Sequence, residues 1–238
     1  MHLSLSLKYN VRERSPVTRR FNQYGSIIPG FKFVPGYRWY VNINAFDIMG
    51  ETVLHHVSLR NQGSILLKIL ERFSVNINAQ DNYGKTPLHY AAINWNHECT
   101  NLLLTHENIK VNVQDNKGKT ALHFSAENYD SESVKMLFTH TDIGVNIQDN
   151  DGRTPLHFAA ICSSEETNSF TELLELLLSR EDIEINIEDN EGTTPFQHAV
   201  ERYSVPTIKR LLSCQDIDVN TVKSGYNDAR SEGWKMSL

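Results

Sequence analysis

A segment recurs along this chain at a nearly fixed step, and the recurrence limits the possible folds more than any single motif does. Val41–Gly50 reads Val-Asn-Ile-Asn-Ala-Phe-Asp-Ile-Met-Gly and returns as Val-Asn-Ile-Asn-Ala-Gln-Asp-Asn-Tyr-Gly at Val75–Gly84. Shorter forms stand at Val111–Gly118, Val145–Gly152 and Ile185–Gly192. The glycines Gly50, Gly84, Gly118, Gly152 and Gly192 are spaced by 34, 34, 34 and 40 residues. The asparagines Asn44, Asn78, Asn112, Asn146, Asn186 and Asn220 are spaced by 34, 34, 34, 40 and 34. One copy therefore carries six extra residues, after which the register recovers. Such a period implies supersecondary units that cannot bury their apolar faces alone and must stack.

Each copy carries its own punctuation. Asp81–Gly84 reads as a tight turn, with glycine where positive φ is needed. Thr-Pro-Leu-His follows at Thr86–His89 and Thr154–His157, with variants at Thr52–His55, Thr120–His123 and Thr194–Gln197. Threonine caps a helix N-terminus and proline suits the first helical position, so this tetrapeptide predicts a helix start. The small pairs Ala91-Ala92, Ser125-Ala126 and Ala159-Ala160 predict close approach of a neighbouring element. A second apolar run completes each unit at Leu66–Leu70, Leu102–Leu104, Val134–Phe138, Leu173–Leu178 and Ile208–Leu212.

The segment Gly84-Lys-Thr-Pro-Leu-His-Tyr-Ala-Ala92 and its copies resemble the ankyrin repeat, a β-turn followed by two antiparallel helices. The resemblance covers residues 41–222, five recognisable repeats and a partial sixth. It implies an all-α ankyrin-repeat solenoid. The chain departs from the family in stepping by 34 residues where about 33 is usual. Ile109, Ile143, Ile183 and Ile217 replace the usual Gly-Ala after the second helix. The glycine that usually separates the helices is also missing, with Trp95, Tyr129 and Tyr203 at or beside that turn. Asn94 and Asn128, preceding two of these aromatics, are expected to take the left-handed conformation.

Residues 1–40 place Phe21, Tyr24, Phe31, Phe33, Tyr37, Trp39 and Tyr40 among Pro29-Gly30 and Pro35-Gly36. That is too aromatic for a free linker and too punctuated for a long helix. From about Phe21 onward it is expected to form an irregular cap over the first repeat. Arg12–Arg20 reads as a solvated charged stretch. Residues 223–238 are expected to be a C-terminal cap or tail, completing a truncated sixth unit that starts near Val219. The insertion at 163–168 lies between the helices of repeat four and reads equally as a tolerated extension or a partner contact.

Composition excludes several classes of partner. A net charge of −6 gives no overall basic footprint for nucleic acid or an anionic membrane. No apolar run reaches the ~18 residues of a membrane span. Met1–Asn10 alternates Leu and Ser without an apolar core, so no signal peptide is expected. Cys99, Cys162 and Cys214 lack metal-ligand spacing and suit a reducing compartment, so a cytoplasmic location is expected.

The recurrent polar residues invite a catalytic or metal reading, which spacing argues against. His55, His89, His123 and His157 would lie on helices ~8–10 Å apart, while zinc needs its ligands within ~2.1 Å. The resemblance implies that this histidine holds its turn through local hydrogen bonds. Asp47, Asp81, Asp115, Asp149 and Asp189 recur once per turn, where aspartate accepts backbone hydrogen bonds. No catalytic residue, metal ligand or cofactor is expected.

Positions that vary between repeats are expected to face a partner. By the resemblance, the turn tips and the exposed side of each first helix form a concave binding surface. The candidate contact residues are Met49, Tyr83, Lys85, Ile93, Lys117, Lys119, Ile147, Arg153 and Ile161. They combine apolar groups with a basic centre, so the expected partner offers acidic and apolar side chains. Lys119 is expected to be dispensable for stability, and its neighbour Leu122 is not. The resemblance thus implies a non-enzymatic protein–protein interaction module, with no nucleic acid, membrane or small-molecule substrate. A pathogen or viral effector acting in a host cytosol belongs to the same expectation. One alternative is a structural or oligomerising role through the aromatic N-terminus. The other is an enzyme with its activity in residues 1–40, a length too short to make a core.

Overall fold

The computed structural model describes residues 31–34, 37–161 and 168–219. The expected features at 12–20 and 21–30, most of the 163–168 insertion, and the sixth unit and C-terminal tail from 220 onward lie outside them. The chain divides into two units, residues 1–110 and 111–238.

The first unit opens with an antiparallel hairpin of β1 (Phe31–Val34) and β2 (Tyr37–Val41), with Phe31 opposite Val41 and Lys32 opposite Tyr40. This corrects the expectation of an irregular segment throughout residues 21–40. Repeat one follows as α1 (Val53–Leu59) and α2 (Gly63–Arg72), then repeat two as α3 (Pro87–Ile93) and α4 (His97–Leu104). The first helices pack on each other, α1 on α3, as do the second helices, α2 on α4. Leu54, Leu66, Leu88 and Leu103 are fully buried between them, and Ala91 and Ala92 allow the close approach that their size predicts.

The second unit repeats the plan three times. Its helix pairs are α5 (Ala121–Glu127) with α6 (Ser131–Phe138), α7 (Pro155–Ala160) with α8 (Asn168–Leu178), and α9 (Pro195–Glu201) with α10 (Val205–Leu212). One layer is α5–α7–α9 and the other α6–α8–α10. Leu122, Val134, Leu137, Leu156, Leu173, Leu177 and Leu211 fill the space between the layers. No helix among the described residues is long and apolar enough to cross a membrane. The helical repeat architecture is the one the sequence predicts.

Every first helix begins at its threonine. Thr52, Thr86, Thr120, Thr154 and Thr194 are the N-caps, and Pro87, Pro155 and Pro195 occupy the first helical position. The side chain three residues on closes a capping box: His55, His89, His123, His157 or Gln197 accepts the threonine N–H at 2.9–3.1 Å. The first helix then ends with one left-handed residue. That residue is Asn61, Trp95, Tyr129 or Tyr203, with φ of 51°, 57°, 56° and 57°. Asn94 and Asn128 have φ of −107° and −91°, so the aromatic residues themselves take the position expected of the asparagines. The residue after each one donates its N–H to a carbonyl five positions back, as in Asn96 to Ala91 and Ser204 to Ala199. Closing that helix end demands the left-handed turn whatever the side chain.

Candidate functional site

The turn tips are the candidate site, and recurrent polar columns fix their backbone. Each turn aspartate accepts two amides through Oδ1: Met49 and Glu51 on Asp47, and Tyr83 and Lys85 on Asp81, at 2.8–2.9 Å. Asp115, Asp149 and Asp189 repeat the arrangement in the second unit. The turn glycines stand at φ 72–78°. At Gly50, Gly118 and Gly152 a Cβ would come within 2.6–2.9 Å of atoms in the following tip, so glycine is required for space as well as for φ. Asn82 donates its N–H to Met49 O at 2.9 Å and its Nδ2 to Ile48 O at 3.1 Å, joining tip two to tip one. Asn150 and Asn190 do the same for the tips of the second unit.

A second asparagine column joins the repeats behind the tips. Asn44 Oδ1 accepts Asn76 N–H at 2.9 Å while its Nδ2 donates to Ser74 O at 3.1 Å. Asn78 bridges likewise to Lys110 and Asn108. In the second unit Asn112 reaches Gly144 and Asp142, Asn146 reaches Glu184 and Asp182, and Asn186 reaches Asp218 and Asp216. The 34-residue asparagine step marks these staples, whose role sequence reasoning left unassigned.

The recurrent histidines are a third column. With Nδ1 accepting from threonine, Nε2 carries the hydrogen and donates to the next repeat: His55 to Lys85 O, His123 to Arg153 O and His157 to Thr193 O, at 3.0–3.1 Å. They are therefore structural, as expected, and act between repeats as well as locally. Burial lowers the pKa of His55 and His123, and that of His157 to about 4. Buried Cys99 is also unsuited to nucleophilic work, since burial pushes its thiol up to about 11.

Among the described residues one trio has ligand atoms close enough to share a metal ion: Asp47, Glu51 and His56, within 4.8 Å of one another. His56 Nδ1 accepts from Arg60 Nη1 at 3.3 Å, and Nε2 donates to Asp47 Oδ2 at 3.0 Å. Tyr90 makes the equivalent tie to Asp81 at 2.7 Å and His198 to Asp189 at 2.7 Å, each nine residues after its aspartate. The Asp47–His56 contact is thus a recurring turn-to-helix tie. Burial alone would raise the Asp47 carboxyl, but the Glu51 and Met49 amides and His56 outweigh it and hold it below its usual value.

The predicted contact residues differ in how freely they present themselves. In the first unit Met49 and Tyr83 are exposed, while Lys85 and Ile93 are half-buried. The Lys85 ammonium stands 5.9 Å from the Tyr83 ring centroid. In the second unit Lys117 is exposed, and Ile147, Arg153 and Ile161 are half-buried. Lys119 is more engaged than expected. Its side chain is 14% exposed, its Nζ lies 2.8 Å from Glu127 Oε2, and the ammonium sits 4.3 Å from the Phe158 centroid. Replacing it would remove an ion pair and a cation–π contact, which argues against the expectation that Lys119 is dispensable for stability. Arg153 Nη1 stands 3.8 Å from Asp151 and its Nε 3.9 Å from Asp189.

Repeating helix pairs, capped by threonine and joined by asparagine and histidine columns beneath variable tips, define a helical repeat protein. The chain belongs to the ankyrin-repeat family. The profile for ankyrin repeats (3 copies) matches residues 32–115 and 97–170, together 139 of the 238 residues, and the single ankyrin-repeat profile matches 151–190. Ankyrin repeats are generally protein–protein interaction modules and typically non-enzymatic. No curated protein matches the chain.

Proposed function

We propose that the chain binds a protein partner through its turn tips and the adjoining ends of its first helices. The observation that carries this reading is the contrast within each turn. Asp47, Asp81, Asp115, Asp149 and Asp189 hold the backbone in one conformation, while the residue just before the turn glycine changes from Met49 to Tyr83, Lys117, Asp151 and Glu191 and is exposed in each. A display surface held rigid before contact loses little entropy on binding. In the first unit Met49, Tyr83, Lys85 and Ile93 would contact the partner, with Tyr83 as the aromatic anchor. In the second, Lys117 is an exposed cation at its tip, and Ile147 and Ile161 supply apolar area. Lys119 and Arg153, already held by Glu127 and by Asp151 and Asp189, would contribute field more than direct contact. These cations favour acidic and apolar groups on the partner.

A photo-crosslinking side chain placed at Tyr83 or Lys117, and in a control at exposed Lys68 on α2, tests this in cell lysate. The reading expects one protein to be captured from both tip positions and not from Lys68. Capture from Lys68 alone would move the binding surface to the second helices.

A further inference from the structure

The first tip differs from every other tip in the chain. Where repeats two to four carry Gln80, Gln114 and Gln148, repeat one carries Phe46. Those glutamines donate Nε2 to the carbonyl of their own turn glycine at 2.7–2.8 Å, which phenylalanine cannot do. Where the later repeats carry the tip asparagine, repeat one carries Ile48, whose side chain has no polar group to form a staple. The tip nevertheless folds, because Asp47 and Gly50 fix its turn. Phe46 is 59% exposed, Ile48 93% and Met49 38%. Three large apolar side chains clustered on one turn, none needed to hold it, mark a contact surface.

The charge at this tip is also reversed. The residue after the turn glycine is Lys85, Lys119 or Arg153 in the next three repeats and Glu51 here. Tyr90 has one hydroxyl hydrogen, yet its oxygen lies 2.9 Å from Glu51 Oε1 and 2.7 Å from Asp81 Oδ2. One hydrogen cannot serve both carboxylates, and the other group near Glu51, His56 Nδ1 at 3.4 Å from Oε2, accepts from Arg60, so this pair is short of a donor beside the apolar tip. Glu51 is only 16% exposed, which strengthens its attraction for an incoming cation.

We propose that the first tip takes a segment of the protein partner in which an aliphatic or aromatic side chain stands next to Lys or Arg. The apolar group would cover Ile48, Phe46 and Met49, and the ammonium or guanidinium would supply the missing donor to Glu51. This rests on the protein-binding reading and adds a chemistry to one end of it, opposite in charge to the one favoured by the lysine-bearing tips.

The test is selection of a random-sequence displayed peptide library on the full chain. It is run in parallel on Phe46→Gln/Ile48→Asn, which installs residues that repeats two to four carry at these positions, and on Glu51→Lys. Circular dichroism melting would establish that both variants fold. The expected result is enrichment of Lys or Arg beside Leu, Ile or Phe, with selected peptides binding each variant about ten-fold more weakly. Enrichment of acidic peptides, no enrichment, or peptides indifferent to both variants would overturn the proposal. So would sedimentation showing a wild-type dimer that Phe46→Gln/Ile48→Asn dissolves, because the tip would then be a self-contact. None of these outcomes touches the crosslinking at Tyr83 and Lys117, so the two readings fail separately.

Discussion

Aromatic residues in the left-handed region are uncommon, and the described residues include three, Trp95, Tyr129 and Tyr203, at equivalent helix ends. Each such residue carries a strain of about 1–3 kcal/mol that glycine would avoid. Tyr203 is 86% exposed and has little packing to lose. Tyr203→Gly should therefore raise stability by up to about 1 kcal/mol, read as a higher urea midpoint at an unchanged slope. The asparagine staples act in the opposite direction. Asn146→Ala leaves Glu184 N–H and Asp182 O without their cross-repeat partner, which should cost about 1–2 kcal/mol by the same measurement. The sequence reveals that Asn146 recurs, because a fixed step is visible without coordinates. It cannot reveal which residue of Asn128-Tyr129 turns left-handed, since asparagine tolerates that conformation better and the helix length decides the position. Nor does it show that Lys119 lies over Phe158, a contact between residues 39 positions apart.

At the scale of the element, the first helices are joined by neutral histidines, which makes the joint sensitive to acid. His157 titrates near 6.5 when unfolded and near 4 when folded, because burial disfavours its charged form. Between those values the unfolded chain binds more protons, so stability is full above about pH 6.5 and falls as pH drops towards 4. The shift corresponds to about 3 kcal/mol. His55 and His123 shift in the same direction. Repeat five shows how to isolate the effect, since Gln197 accepts Thr194 N–H at 3.0 Å and keeps the cap without a titrating ring. His157→Gln should lower stability at pH 7 through loss of the bond to Thr193. It should also lose less on going to pH 5 than the wild type does, as measured by urea denaturation at both pH values. The helices themselves are legible in the sequence, because threonine caps, N1 prolines and apolar runs act within a few residues. The β1–β2 hairpin is harder to read. Phe31-Lys32-Phe33 and Tyr37-Arg38-Trp39 alternate as strands do, but each run is short and Pro29-Gly30 and Pro35-Gly36 crowd them with turn signals.

At the scale of the whole molecule, the columns that recur build the fold, and the residues that vary between them are the ones proposed to bind. Burial and cross-repeat hydrogen bonds account for Asp81, Asn78, His55 and Leu88 in the first unit and for Asp149, Asn146, His157 and Leu156 in the second. They give no reason for Ile48, Tyr83 or Lys117, whose side chains are exposed. This division is legible from the sequence, because a repeat is its own alignment and departures from it stand out. The reversal at Glu51 needed the structure, since the position of Tyr90 between two carboxylates gives it meaning. The most direct test is amide hydrogen exchange of the full chain, alone and with the protein captured by crosslinking. Slowed exchange should concentrate in the turns around Met49, Tyr83, Lys117 and Asp151, leaving the second helices α2, α4, α6 and α8 unchanged. Protection confined to those second helices, with the turns exchanging as in the free chain, would contradict it.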